Sequence, residues 1–281
     1  MLANPGSDRV RSVRRLAGRL ARLRAGRFVA EGPQAVREAV AAGVVVQLYV
    51  TPDAATRHAP IVEAAVGCGV PARLVTAEVL AVMADTVTPQ GMLAVCRLVD
   101  VDLGTVLGRR PRLVAVLARV RDPGNAGTVI RAADAVGADA VVLTDASVDV
   151  HSPKCVRSTA GSLFHLPVVT GVGLPDAVRA LRGAGLAVYA ADGAGTADLD
   201  DLLDDAAAGR PGGLSGPTAW VFGNEAWGLP DEDLALADAA VRVPVHGAAE
   251  SLNLAMAATV CLYASARAHR HPASSDHRRD S

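Results

Sequence analysis

Aromatic residues make up only 3% of this 281-residue chain. A core with so few large rings, dominated by Ala, Val, Leu and Gly, suits helices seated close on a sheet. Lysine is also nearly absent: Lys154 stands alone, so almost every positive charge is an arginine. Four cysteines (Cys68, Cys96, Cys155, Cys261) are scattered without metal-ligand spacing and read as free thiols in a reducing compartment. His151, His165 and His246 are likewise isolated, so no metal is expected. No apolar run reaches the length of a membrane span, and the arginine-rich start lacks the apolar core of a secretory signal. The reading is a cytoplasmic protein without a membrane partner. Neither a G-x-G-x-x-G following a strand nor a P-loop is present, which excludes the usual dinucleotide and nucleoside-triphosphate sites.

Half of the residues are apolar (51%) and a fifth are charged (20%), a globular composition and not a disordered one. The net charge of −1 gives no reason to expect a polyanionic partner for the chain as a whole. Its distribution does. Arg9, Arg11, Arg14, Arg15, Arg19, Arg22, Arg24 and Arg27 follow one another with no acid between them. Such a stripe fits a phosphate-contacting element or a solvated helix face equally well.

Residues 13–40 read as helical, broken at Gly26 and Gly32-Pro33. Strands are expected at 44–50, 73–75 and 93–99, with helices at 61–66 and 77–83, making a small α/β unit. Strand character lapses between Asp100 and Pro111, which places a domain boundary there. A second unit opens with the buried-strand run 113–117 and continues with strands at 140–143, 166–169, 186–190, 219–222 and 241–243. Helices are expected at 126–136, 153–160, 176–182 and 252–267, and residues 198–216 as an exposed acidic loop with a short helix. The alternation predicts an α/β fold with a mostly parallel sheet covered by helices on both faces. The expected domains are 1–107 and 108–268, with a disordered tail at 269–281.

Three segments place polar residues where a buried strand ends, the usual ligand position in open α/β sheets. In Arg121-Asp-Pro-Gly-Asn-Ala-Gly-Thr-Val-Ile-Arg131, Asn125 is expected to cap the next helix, whose N-terminus is an anion site. A bare Asn–x5–Arg is also what a cap and a surface arginine would leave. In Trp220-Val-Phe-Gly-Asn-Glu-Ala-Trp-Gly, Gly223 permits close backbone approach and Glu225 would stand at a strand tip; a tight turn with a solvated glutamate reads the same. In the stretch from Val241 to Met256, Ser251 is the expected N-cap of the last helix. Asn253 would then lie inside its first turn, where asparagine is a poor helix former.

Together and in this order, these segments resemble the three motifs of the SpoU/TrmH family of RNA ribose 2′-O-methyltransferases. Asn125 and Arg131 match the first, Phe222-Gly-Asn-Glu225 with Gly228 the second, and Val243-Pro with Ser251-Leu-Asn253 the third. Pro153-Lys-Cys-Val-Arg157-Ser-Thr-Ala-Gly161 with Phe164 and Pro167 resembles the family's intermediate stretch, and Phe28-Val-Ala-Glu31-Gly32 the start of its small RNA-binding domain.

The resemblance implies a C-terminal trefoil knot, a homodimer and S-adenosylmethionine as methyl donor. Gly223, Val243 and Leu252 would hold the donor through backbone groups, with Thr144 lining the same pocket. Arg131 would be the central catalytic residue, with Asn125, Glu225, Ser251 and Asn253 orienting it and the substrate. RNA contacts are expected from Arg14, Arg15, Arg19, Arg22 and Arg157. Ribosomal RNA is the favoured substrate. Transfer RNA, base methylation on the same fold, and a non-catalytic RNA-binding or ribosome-assembly role are the alternatives.

Overall fold

The computed structural model describes residues 1–210, 213–224 and 226–270. The chain divides into two units: Met1–Asp100 with Asp149–His165, and Val101–Val148 with Leu166–Ser281. The sequence boundary at 107 therefore shifts. More importantly, residues 153–161 and Phe164 of the intermediate motif belong to the first unit, and only Pro167 to the second.

The first unit begins with α1 (Asp8–Arg15) and α2 (Arg19–Ala25), followed by β1 (Arg27–Glu31), α3 (Pro33–Ala41), β2 (Val45–Val50), α4 (Pro52–Arg57) and α5 (Ala59–Gly67). β3 (Ala72–Leu74), α6 (Ala77–Met83) and β4 (Met92–Arg97) complete its continuous part. Its sheet runs β1-β4-β2-β3, with β4 antiparallel to both neighbours. β1 was not expected. Gly26 ends α2 in the left-handed region (φ 60°), and Phe28, Val29 and Ala30 then enter the core as a strand. One face of the sheet packs Val29, Tyr49, Leu93 and Val95 against Val10 and Val13 of α1 and Val79, Leu80 and Met83 of α6.

The second unit starts with α7 (Leu103–Leu107), in the stretch read as a linker, then β5 (Leu113–Leu117), α8 (Pro123–Val136) and β6 (Ala140–Thr144). The chain supplies α9 (Pro153–Ser158) to the first unit before returning with β7 (Val168–Val172), α10 (Leu174–Gly183) and β8 (Ala187–Ala191). β9 (Ala197–Asp198), α11 (Leu199–Ala207), β10 (Thr218–Phe222), α12 (Asp231–Leu234), β11 (Ala239–Arg242) and α13 (Leu254–Arg270) follow. The short helix expected in the acidic stretch is α11, which occupies Leu199–Ala207. The seven strands are ordered β7-β6-β5-β10-β8-β11-β9, and every pairing is parallel.

β5, β6 and β10 are buried at every position, as central parallel strands covered on both faces must be. On one face, Val114, Val116, Val142, Val188 and Val221 meet the apolar side of α10 through Leu174, Ala177, Val178 and Leu181. α8 and α13 pack against each other and against β5. Trp220 donates its indole N–H to Ser265 Oγ of α13 at 2.8 Å, which satisfies both polar atoms in the interior. The helix reaches Arg270, past the expected end; the remainder of the tail lies outside the described residues.

Candidate active site

A cavity of about 640 Å³ opens at the carboxyl ends of β8, β10 and β11. Gly223, Val243, Ser251 and Leu252, four of the expected site residues, line it. Directly after β10, Gly223 lies so close to the next turn that a Cβ would stand 2.5 Å from the Gly228 carbonyl carbon. No other residue fits there. Asn224 and Gly228 exchange backbone hydrogen bonds in both directions at 2.9 Å, closing this loop on itself. The Asn224 side chain is buried, accepts from Ala226 N at 2.8 Å and donates to the Arg119 carbonyl at 3.0 Å. Glu225 lies outside the described residues.

Arg119 follows β5 with φ 59°, a left-handed backbone uncommon for a residue with a side chain. Three contacts hold it. Its N–H donates to Thr144 Oγ1 at 3.4 Å, its carbonyl takes the Asn224 bond, and its guanidinium clasps the buried Asp233 at 2.8 Å and Glu232 at 3.1 Å. The Asp233 carboxylate raises the guanidinium's pKa further above its ordinary value. Nothing in the sequence pointed to Arg119 beyond its place at a strand end, because its partner Asp233 is 114 residues away. Thr144 is corrected: it is buried, bonded to Arg119 and Ser147, and is not among the residues lining the cavity.

Asn125 is not the cap of α8. Asp122 is, accepting from Asn125 N at 2.9 Å, with Pro123 opening the first turn. Ser251 does not cap α13 either. That helix starts at Leu254, and Asn253 Oδ1 accepts from Ala255 N at 2.9 Å while its carbonyl takes Ala257 N. The asparagine that looked misplaced in a first turn is the cap itself. Its amide Nδ2 donates to Asn125 Oδ1 at 3.3 Å, joining the first and third segments. Arg131 is exposed on α8 and does not line the cavity. Arg121 lies over the Trp227 ring at 5.0 Å, which gives that exposed indole a cation partner.

In the first unit, Arg14, Arg15 and Arg19 are exposed. Arg22 is corrected. It is 3% exposed and donates to the Leu16 and Ala17 carbonyls and to Asp149 at 2.6 Å, so its charge is already used inside the unit. Arg157 is also engaged, with Glu31 at 3.3 Å and Asp85 at 3.1 Å. Among the described residues, no cluster could hold a metal ion and no helix is long and apolar enough to cross a membrane.

A parallel sheet whose strand ends carry a lined cavity, closed by loops from three distant segments, defines an α/β enzyme with a ligand held at the carboxyl edge. Residues 112–263 match the SpoU rRNA Methylase family, and residues 7–94 match the MRM3-like substrate binding domain. The 23S rRNA guanosine 2′-O-methyltransferase RlmP of Bacillus subtilis is 34% identical over 92% of this chain and 95% of its own length. The AdoMet-bound rRNA methyltransferase from Sinorhizobium meliloti superposes with a TM-score of 0.80 at 30% identity, covering 95% of this chain and 97% of that one. A tRNA guanosine 2′-O-methyltransferase of Thermus thermophilus is 35% identical over 57% of this chain and 76% of its own length. The chain belongs to the SpoU rRNA methylase family.

Proposed function

We propose that this protein transfers a methyl group from S-adenosylmethionine to a ribose 2′-hydroxyl of ribosomal RNA. The observation that carries the reading is convergence. The second and third segments line one cavity, and Asn253 of the third bonds to Asn125 of the first across 128 positions. The residues present suit the donor: about 640 Å³ lies within the roughly 300–1,000 Å³ typical of cofactor sites. Phe222, Pro244 and Leu252 offer apolar surface for a heteroaromatic ring, while Asp192 and Glu250 bring negative charge suited to a cation. A residue with a side chain at Gly223 would obstruct the close backbone packing on which that wall depends.

Backbone groups of Gly223, Val243 and Leu252 would hold the donor. S-adenosylmethionine supplies a methyl group on a positively charged sulfur, open to displacement by an oxygen nucleophile. The chain's task is to hold the 2′-oxygen in line and to favour loss of its proton as the new C–O bond forms. Arg131 offers a planar fork of donors, so its part is to clamp the neighbouring phosphate and the developing oxyanion. Asn125, Glu225, Ser251 and Asn253 orient that arrangement. Alkali-resistant cleavage mapping tests the reaction, since a 2′-O-methyl group blocks strand scission. An Arg131→Lys enzyme with full turnover would refute the bidentate clamp.

Ribosomal RNA is favoured because the match to the Bacillus subtilis relative runs through both domains, whereas the tRNA enzyme matches 57% of the chain. Arg14, Arg15 and Arg19 are the expected phosphate contacts. We further infer a homodimer formed on α13, where Met256, Val260 and Tyr263 repeat at helical spacing and are 60%, 42% and 61% exposed. We also propose a trefoil knot, which the return of the chain from β11, beside the edge strand β9, to α13, packed on α8 and β5, supports.

A further inference from the structure

The first unit contains a cavity of about 280 Å³ that plays no part in the proposed methyl transfer. Ala35, Leu80, Met92 and Leu93 form an apolar floor that is almost wholly buried, and its rim is polar, from Gln34, Gln90, Thr86, Thr88 and Arg157. The size is near the low end for small-molecule sites, enough for a single planar ring system.

The rim is held in place. The Glu31 carboxylate, 5% exposed, accepts from Asp85 N at 2.8 Å and from Arg157, which also reaches the Asp85 carboxylate. These bonds pin one end of the loop at 84–91. At the other end Gly91 (φ 82°) lies so near α4 that a Cβ would meet the Ala54 Cβ at 2.7 Å. Gly32 (φ 87°) leaves space that the Gln90 amide occupies: a Cβ there would stand 2.9 Å from Gln90 Oε1. Across the mouth, Ala160 is held at φ 51° while its carbonyl accepts from Gln34 Nε2 at 2.8 Å. Left-handed backbone at a residue with a Cβ is a strained state that gathers at binding sites. Val87, at the tip of the loop, is 97% exposed. A neighbouring depression shares Glu31 and Ala84 and carries the exposed Arg14 on its border.

We propose that this cavity is a nucleobase pocket that receives one unpaired base of the RNA substrate, with Gln34 and Gln90 reading its edge and Arg14 meeting its phosphate. An apolar floor suits the face of a base, amides suit its polar edge, and an arginine one depression away suits the phosphate. Sequence-specific recognition of RNA falls mainly on splayed, unstacked bases, which a pocket of this size admits and a duplex does not. The inference rests on the RNA-methyltransferase reading but concerns a different unit and different residues.

The test uses the full chain, isotope-labelled for NMR, titrated with the four nucleoside 5′-monophosphates and with ribose 5-phosphate as the anion control. At least one nucleotide should shift the amides of Gly32, Gln34 and residues 86–90 saturably, and ribose 5-phosphate should not. The double variant Gln34→Ala, Gln90→Ala changes two exposed side chains and should weaken that binding about tenfold, the worth of one or two hydrogen bonds. Its KM for ribosomal RNA should rise by a similar factor with kcat unchanged. Absence of saturable shifts, equal shifts with ribose 5-phosphate, or a variant that binds as the parent does would each overturn the pocket. Calorimetry with S-adenosylmethionine on the same samples keeps the two ideas apart. A chain that binds the donor and methylates RNA but shows no nucleotide shifts refutes the pocket alone. One that does not bind the donor refutes the methyltransferase reading.

Discussion

Asn253 caps α13 through Oδ1 and, with the same amide, donates from Nδ2 to Asn125 Oδ1 in the first turn of α8. One side chain thus ends a helix and joins two segments 128 residues apart. The two jobs use different atoms, so substitution can separate them.

Asn253→Asp keeps the capping oxygen and adds a charge that suits a helix N-terminus, but removes the donor to Asn125. Its melting temperature should match the parent's while methyl transfer falls at least about tenfold, equivalent to about 1.4 kcal/mol of barrier. Asn253→Ala should lose both, with about 1 kcal/mol of stability gone as well. An Asp variant of full activity would show that the link to Asn125 serves only packing.

Arg119→Ala leaves the Asp233 carboxylate buried without its ion partner and retains the left-handed backbone. Because the arginine is itself partly exposed, the cost should be about 1–3 kcal/mol, less than for a fully buried pair. The loop carrying Asn224 loses its anchor, so donor affinity measured by calorimetry should drop more than stability alone explains. Unchanged affinity in a folded variant would refute this positioning role.

Arg14, Arg15 and Arg19 should behave differently from Arg22. Replacing any of the first three with alanine should leave the melting temperature alone and reduce the salt slope of RNA binding by about 0.7–0.9 per lost phosphate contact. Arg22→Ala should instead destabilise the protein by about 3 kcal/mol, because Asp149 loses its buried partner. A thermally neutral Arg22→Ala would contradict the internal role.

Burial holds the pKa of His151 below its ordinary value, against the pull of Asp100 and Asp149 and with help from the Arg22 charge. Phe28 packs against its ring, and Val99 N donates to its Nε2. The unfolded chain takes up this proton below about pH 6.5, whereas the folded chain does so only at lower pH. Folding stability should therefore fall as the pH drops from about 6.5 towards the folded pKa, then level off. His151→Gln should flatten that part of a melting-temperature profile. An equal slope in the variant would place the effect elsewhere.

Tyr263→Glu puts a charge into the exposed apolar stripe of α13. Sedimentation should show the parent as a dimer and the variant as a monomer at the same concentration. A monomeric parent would refute the proposed interface.

The central strands were legible because they are short, nearly continuous apolar runs: Leu113–Leu117 lies where the pattern placed it. β1 was hidden because Arg27-Phe-Val-Ala-Glu31 follows seven arginines and a helical rhythm, and only the left-handed turn at Gly26 breaks it. α11 was legible as a short helix in an acidic stretch, but its bounds were not, although Leu199, Leu202, Leu203 and Ala206 have helical spacing. The cavity lining at Gly223, Val243 and Leu252 was legible as motifs. The caps were not, since Ser251 and Asn253 are both good caps and tertiary contact chose between them. Arg22 was assigned to RNA and Arg119 to no role, because their carboxylate partners are more than a hundred residues away and pairing at that distance leaves no local pattern.

The segment Asp149–His165 completes the first unit from the middle of the second. It brings Asp149 to Arg22, Phe164 to Phe28 and Arg157 to Glu31. During synthesis the N-terminal unit therefore cannot close its core until residue 165 has left the ribosomal tunnel, by which time β5 and β6 of the next unit are already made. Order of emergence and order of folding are uncoupled here. A fragment cut at the apparent boundary near residue 100 would carry an unpaired buried arginine and an unfilled hydrophobic seat at Phe28, a poor substrate for refolding and a good one for a protease.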